Sequence, residues 1–183
     1  VQILWVNMIT AVTLALALAF EPAEPGVMRR PPRDPDAPIL GAYFLWRIAF
    51  VSALIGGATL GVFFIEKQLG FPLELARTLA VNTLVFGQVF YLFNSRFLRD
   101  SSLHPDLLFT NRVAWIAVGV LMLFQLAFVY APAMQRWFGS AALSPRHWLV
   151  PLTIGLVVFL LVEAEKAVTR RRGGRRQRGG SHR

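Results

Sequence analysis

Residues 44–65 read FLWRIAFVSALIGGATLGVFFI, an apolar run with a single charged side chain, Arg47, near its start. A helix of about 20 mostly apolar residues is long enough to cross the hydrocarbon core of a bilayer. Because the run is apolar on every side of such a helix, it predicts burial in lipid or among other apolar helices. This stretch therefore predicts a membrane-spanning helix.

Similar apolar runs lie on both sides of it. Together they predict five transmembrane helices, at residues 3–20, 44–65, 73–93, 113–130 and 148–162. A chain of 183 residues is too short to bury five such helices in a water-soluble core. Its residues are 55% hydrophobic and 16% charged, against roughly 45–50% and 25% in soluble domains. We therefore predict an all-α integral membrane bundle within residues 1–169.

The basic residues predict the orientation of this bundle. They concentrate in segments 21–42, 96–112 and 166–183. The other connections contain few, namely Lys67, Arg77, Arg136 and Arg146. Because basic segments stay on the cytoplasmic side of a membrane, we expect the N-terminus outside and the C-terminus in the cytoplasm. The chain starts at Val1 without a basic n-region, which argues against a signal peptide, and we interpret it as a piece of a longer protein.

Residues 170–183 form a basic tail rich in Arg and Gly, a composition that predicts disorder. Charge alone would allow a nucleic-acid partner, but the tail contains no aromatic side chain to stack on bases. Basic residues that directly follow a membrane span more simply bind anionic lipid headgroups. We therefore expect lipid contact and no nucleic-acid partner.

The connector at residues 21–42 is rich in proline and carries Arg29, Arg30 and Arg33. Proline fixes φ and prevents a helix from continuing, so the connector is predicted to be stiff and extended. Its arginines have two interpretations, an orientation signal near the headgroups or a coupling strap for a cytoplasmic domain. The residues by themselves favour the first.

Polar residues inside the spans are the candidate site. Asn7, Thr10 and Thr13 recur every third residue and so share one helix face, and Gln88 lies near the middle of the third span. Their carbonyl and hydroxyl oxygens suit Na⁺, K⁺ or Ca²⁺, although such side chains also join membrane helices by hydrogen bonds. Glu163 and Glu165, at the end of the fifth span, are expected to pair with basic neighbours or to face water rather than to carry a proton.

Catalytic motifs are absent from the sequence. It contains no nucleotide-binding loop, metal-hydrolase motif or nucleophile elbow. It also contains no cysteine, which excludes a disulfide framework and a thiolate metal site. We therefore expect no catalytic residue and no cofactor in this chain.

The order of residues in the first span resembles P-type cation-transporting ATPases. The stretch 2–11, QILWVNMITA, with MRRPPRDP at 28–35, resembles their sixth transmembrane helix and the following loop, in the calcium-pump-like subgroup. Residues 76–95 are similar to the eighth helix of that family, and VEAEK at 162–166 to the end of the tenth. The resemblance covers residues 1–169 and implies helices six to ten of a ten-helix domain.

The resemblance also implies site residues. The family's sixth helix supplies an Asn, a Thr three residues on and an Asp directly after it; Asn7 and Thr10 match, and Ala11 stands in place of the Asp. Gln88 resembles a position where calcium pumps can carry Glu. Asn7 and Thr10, with Gln88, would thus hold the transported cation and no resident metal. The subgroup favours Ca²⁺, whereas the missing carboxylates favour a monovalent cation or proton and a single site.

For the whole protein, the resemblance implies a plasma-membrane pump that uses ATP and Mg²⁺. The phosphorylated Asp-Lys-Thr-Gly motif of the family is absent here, so this chain would need the N-terminal part of the same pump as a partner. Whether the chain itself is an enzyme stays open. The alternative is a non-enzymatic five-span membrane scaffold or remnant without ATPase activity.

Overall fold

The computed structural model describes residues 1–21, 41–95 and 111–179, with side chains as far as residue 169. All regular elements in those ranges are helices: α1 (Gln2–Ala19), α2 (Ala42–Gln68), α3 (Leu73–Ser95), α4 (Arg112–Tyr130), α5 (Pro132–Phe138) and α6 (Leu149–Gly179). Four of them, α1 to α4, are long and apolar enough to cross a membrane. The prediction of an all-helical protein with several membrane spans is confirmed for the described residues.

The helix α6 differs from the four other long helices. It begins with the apolar segment predicted as the fifth span and then continues past Glu163, Glu165 and Lys166 to Gly179. A fifth span and the orientation of the bundle stay predictions. The backbone is helical where the composition predicted a disordered tail, although each glycine inside such a helix opposes it by about 1 kcal/mol. The disorder of the tail and its contact with lipid also stay predictions.

The helix α3 lies at the centre of the bundle, where it contacts α1, α2, α4 and α6. In the most apolar 18-residue stretch of α3, 61% of the residues are buried, whereas the corresponding share in α2 is only 17%. Gly155 allows α6 to approach α3 closely, because a Cβ atom at this position would collide with the ring of Phe90. The central position of α3 explains why its polar residues are enclosed by protein.

Polar groups on the buried side of α3 are joined to neighbouring elements. Gln125 of α4 donates to the Asn82 side-chain oxygen (3.1 Å), and Asn82 donates to the Thr78 carbonyl (2.8 Å). The Thr78 hydroxyl accepts from the backbone N–H of Ala141 (2.9 Å), in the segment between α5 and α6. These bonds satisfy polar atoms that would otherwise be costly to bury.

Candidate cation-binding site

The residues predicted as ligands lie together. Asn7 and Thr10 of α1 and Gln88 of α3 line one open cavity of about 470 Å³. The remaining lining residues are Ala11, Leu14, Ala15, Leu18, Tyr91, Leu92 and Ser95. On each helix the lining positions follow the pattern i, i+3, i+4, i+7, which keeps side chains on one helix face.

Thr10 lines this cavity and is itself largely buried. The side chain is 4% exposed, and its Oγ1 donates to the Val6 carbonyl at 2.8 Å. That bond occupies the hydroxyl hydrogen and leaves the oxygen able to accept or to ligate. Thr13 makes the same type of bond to the Ile9 carbonyl (2.7 Å) but does not line the cavity. The predicted polar face of α1 is therefore divided, and only Asn7 and Thr10 belong to the site.

Asn7 and Gln88 differ in how far they are enclosed. Asn7 is exposed. The Gln88 Oε1 atom is buried and has no hydrogen-bond partner within the described residues. Leaving such an acceptor unsatisfied costs about 1–3 kcal/mol. Gln88 thus has a buried carbonyl oxygen that no described residue satisfies.

The cavity contains no charge of its own. None of its ten lining residues is an acid, a histidine, a lysine or an arginine. Ala11 contributes only a methyl group, at the position where the family that this sequence resembles carries Asp. In the part of the chain that the structure describes, no three His, Cys, Asp or Glu side chains cluster as a metal site would require. A cation held here would receive only neutral oxygens from this chain.

Charged side chains lie beside the cavity, around the C-terminal end of α3. Arg47 of α2 is 4% exposed; its Nη2 lies 3.6 Å from Glu165 Oε2, and its Nη1 donates to the Tyr43 hydroxyl at 2.9 Å. Arg47 also lies near Tyr91, which lines the cavity. Sequence reasoning missed Tyr91, because nothing in a single aromatic residue near a span end separates a membrane anchor from a cavity wall.

A second ion pair adjoins the first on α6. The buried Lys166 donates to Glu163 (2.8 Å) and to the Asn94 backbone carbonyl in the last turn of α3 (2.7 Å). Cations are favourable at the carbonyl end of a helix. The expectation that Glu163 and Glu165 pair with basic neighbours is confirmed, although Arg47, the partner of Glu165, comes from a different helix.

A larger cavity of about 690 Å³ lies at the opposite ends of α1 and α3. Its lining is mostly apolar and includes none of the predicted ligands; the polar members are Gln2, Thr59 and Arg77. The Gln2 amide already donates to the Phe138 carbonyl at 2.8 Å. We therefore regard the smaller cavity, which is lined by all three predicted ligands, as the candidate cation site.

The predicted coupling residues Arg29, Arg30 and Arg33 lie outside the described residues. The structure does describe how the end of α1 is held. The Asn111 side chain donates to Glu21 (2.7 Å) and to the Ala17 carbonyl (3.3 Å), and its oxygen accepts from Ala114 N–H at the start of α4 (3.1 Å). One amide thus fixes the point from which the proline-rich connector departs.

A bundle with four helices long and apolar enough to cross a membrane is the architecture of a multi-pass membrane protein. The chain matches the family described as "Cation transporting ATPase, C-terminus" over residues 1–168. It therefore belongs to the C-terminal region of the P-type cation-transporting ATPases, and the resemblance seen in the sequence is confirmed.

Individual relatives agree with this assignment. The chain is 39% identical over 171 residues to "Probable cation-transporting ATPase F" of Mycobacterium tuberculosis, covering 92% of this chain and 19% of the relative. It is 32% identical over 163 residues to a "Calcium-transporting ATPase" of Bacillus subtilis, covering 88% and 18%. It is 34% identical over 168 residues to "Calcium-transporting ATPase type 2C member 2" of Mus musculus, covering 90% and 18%. The chain therefore spans about a fifth of the length of these relatives.

Proposed function

We propose that this chain is the C-terminal membrane part of an ATP-driven cation pump and that the cavity between α1 and α3 forms one side of its transport site. The convergence of Asn7, Thr10 and Gln88 on one cavity, with an unsatisfied carbonyl oxygen on Gln88, carries this proposal. Hard oxygen ligands of this kind suit alkali and alkaline-earth cations.

We propose Ca²⁺ as the transported cation. The relatives from Bacillus subtilis and Mus musculus are named as calcium-transporting ATPases, and carbonyl and hydroxyl oxygens are ordinary Ca²⁺ ligands. Because this side of the cavity is uncharged, the carboxylates that balance the ion would come from the rest of the pump. A monovalent cation or a proton is the alternative that the same uncharged lining favours.

In the complete pump, ATP with Mg²⁺ would phosphorylate an aspartate that lies outside this chain. The formation and hydrolysis of this aspartyl phosphate would switch the membrane helices between two arrangements. Because α1 and α3 each supply part of the cavity, a shift of one helix against the other changes how many oxygens reach the ion. The connector with Arg29, Arg30 and Arg33 would pass that shift to the cytoplasmic domains. The plasma membrane is the proposed location, with anionic lipid at the basic tail.

The test uses the full-length pump that contains this chain, in membrane vesicles. Phosphoenzyme formed from radiolabelled ATP is measured against free Ca²⁺ for wild type, Asn7→Ala and Thr10→Val. Each substitution removes one ligand oxygen and is expected to raise the half-saturating Ca²⁺ concentration about tenfold, equivalent to about 1.4 kcal/mol.

Thr13→Val is the matched control. Thr10 and Thr13 both donate to a carbonyl four residues back, but Thr13 does not line the cavity, so its loss is expected to leave the Ca²⁺ dependence unchanged. Equal shifts of the half-saturating Ca²⁺ concentration for Thr10→Val and Thr13→Val would contradict the proposed role of Thr10 as a ligand. Activation by K⁺, Na⁺ or acid pH in place of Ca²⁺ would contradict the proposed ion. A wild-type protein that forms no phosphoenzyme with any cation would support the scaffold alternative instead.

A further inference from the structure

Asn111 joins the end of α1 to the start of α4. It directly precedes α4 (Arg112–Tyr130) and is 4% exposed. Its side-chain oxygen accepts from the Ala114 N–H at 3.1 Å, which is the hydrogen bond of a helix N-cap. Ser or Asp supplies such an oxygen equally well. Capping α4 therefore does not by itself require an asparagine at this position.

The nitrogen of the same amide is directed to α1 instead. Nδ2 donates to the Glu21 carboxylate at 2.7 Å and to the Ala17 carbonyl at 3.3 Å. The last four carbonyls of a helix have no partner within it, and Ala17 is among them in α1 (Gln2–Ala19). A hydrogen bond to a carboxylate is stronger than one between neutral groups. Asn111 thus caps two helices at once, and the tie to α1 needs the NH₂ group, which neither Ser nor Asp has.

The other end of α1 is held to the same part of the molecule. The Gln2 amide donates to the Phe138 carbonyl (2.8 Å) and to the Gly139 carbonyl (3.2 Å) at the end of α5. The Trp5 ring contacts Phe128 of α4 and Phe138 of α5, with ring centroids 6.5 and 5.1 Å apart. Along its length, α1 packs more against α4 than against α3. The position of α1 at the cavity is therefore decided from the α4 side, by ties at both of its ends.

Two predicted ligands lie on α1 between these ties. Thr10 is seven residues before Ala17, which is about two helical turns, or roughly 10 Å along the axis. Ligands must be held within about 0.5 Å of their productive positions for a site to keep its affinity. If the Asn111 tie is lost, α1 stays held near Gln2 and its other end is free to tilt. Such a tilt displaces Thr10 further than Asn7, because Thr10 lies closer to the released end.

We infer that Asn111 is a positioning residue for the cation site. The donor side of its amide fixes the end of α1, and with it Thr10 and Asn7, whereas the acceptor side begins α4. This inference rests on the proposed function. The proline-rich connector follows directly after Glu21. The tie therefore lies between the connector and the ligands, and a displacement of the connector reaches the ligands through a helix end that Asn111 holds to α4.

The experiment measures Ca²⁺-dependent phosphoenzyme formation by the full-length pump in vesicles, together with its thermal unfolding in detergent. Asn111→Ser keeps an oxygen that can cap α4 but removes the tie to α1. It is expected to raise the half-saturating Ca²⁺ concentration about fivefold, as the loss of one hydrogen bond would, and to leave the melting midpoint near the wild-type value. Asn111→Ala also loses the cap, so we expect the same Ca²⁺ shift with a lower midpoint. Asn111→Asp places a second negative charge beside Glu21, so its Ca²⁺ shift is expected to be at least as large.

Gln135→Ser is the matched control. The Gln135 amide donates to the Val129 carbonyl near the end of α4 at 2.7 Å, so the substitution breaks a similar bond to the end of a helix that carries no predicted ligand. The Ca²⁺ dependence is expected to stay at the wild-type value. Equal Ca²⁺ shifts for Asn111→Ser and Gln135→Ser overturn the inference, since they indicate a general effect of lost packing.

A double-variant cycle with Thr10→Val tests whether Asn111 acts through the ligand. Once Thr10 is displaced, removing its oxygen costs less affinity. Thr10→Val is therefore expected to raise the half-saturating Ca²⁺ concentration by only about twofold in the Asn111→Ser background, against about tenfold in wild type. Fully additive shifts show that Asn111 affects Ca²⁺ activation by another route, and they overturn the inference.

A role of Asn111 in capping α4 alone predicts a different pattern. Asn111→Ser would then match wild type in its Ca²⁺ dependence and only Asn111→Ala would differ; that result overturns the inference. If Asn111→Ala does not accumulate, Asn111→Ser, Asn111→Asp and the cycle still give the answer. If wild type shows no cation-dependent phosphorylation, or Thr10→Val has no effect, the proposed function fails. If both behave as proposed and Asn111→Ser matches wild type, only this inference fails.

Discussion

Gln125 donates a 3.1 Å hydrogen bond to Asn82 across the interface between α3 and α4, and both side chains are buried. Less than two turns further along α3, the buried carbonyl oxygen of Gln88 has no such partner in the described residues. Two glutamines inside membrane helices thus have different roles. One joins helices, and the other lines a cavity and has a buried oxygen without a partner. The first two predictions follow from this difference.

Gln125→Leu is expected to destabilise the protein without affecting ion binding. The substitution leaves the Asn82 oxygen buried without its donor, which costs about 1–3 kcal/mol. Thermal unfolding of the detergent-solubilised full-length pump should show a lower midpoint, while the half-saturating Ca²⁺ concentration stays at the wild-type value. A large change in Ca²⁺ activation with unchanged stability would show that this pair belongs to the ion site.

Gln88→Leu is expected to weaken Ca²⁺ activation without destabilising the protein. It removes an acceptor that has no internal partner, so the melting midpoint should stay equal or rise slightly. The half-saturating Ca²⁺ concentration should rise about tenfold, because one ligand oxygen is lost. The pair of variants forms its own control, since both replace Gln by Leu inside a membrane helix. A drop in stability as large as that of Gln125→Leu would mean that Gln88 has a structural partner in the complete pump.

Ala11→Asp is expected to raise the affinity for divalent cations. Ala11 lines the cavity with Asn7, Thr10 and Gln88, so a carboxylate here would add a charged oxygen to a neutral set, and ligand charge is a main determinant of Ca²⁺ affinity. Radiolabelled Ca²⁺ binding to the pump in vesicles should tighten by about tenfold or more. Ala11→Asn matches the size without the charge and should change the affinity little. Equal effects of Asp and Asn would show that size, not charge, matters at this position.

Gly155→Leu is expected to separate α6 from α3. A Cβ at Gly155 would collide with the Phe90 ring and lie 3.3 Å from the Phe86 carbonyl oxygen, and overpacking of this kind costs about 1–3 kcal/mol or more. The measurement is thermal unfolding. Gly119→Leu is the control, because a Cβ at Gly119 meets no atom within 4 Å and the position is exposed. Similar losses from both substitutions would contradict the close α3–α6 packing.

The sequence predicted the helices α2 and α3 closely. Residues 44–65 lie within α2 (Ala42–Gln68), and 73–93 lie within α3 (Leu73–Ser95). These predictions succeed because length and hydropathy are local properties, and a helix in lipid must satisfy its backbone hydrogen bonds internally. The short helix α5 (Pro132–Phe138) was not predicted, since its position depends on packing of the segment between α4 and α6.

The candidate site depends on both the sequence and the tertiary structure. The sequence by itself determined that Asn7 and Thr10 share a helix face, since a spacing of three residues decides that within one helix, and the order of residues in this span pointed to the family. Only the tertiary structure decided that Gln88 faces the same cavity while Gln125 bonds to Asn82, and that Arg47 pairs with Glu165. The chemistry of an amide or a guanidinium is the same at every position in the chain. Its partners are decided by which helix faces meet, and that follows from the packing of the whole bundle.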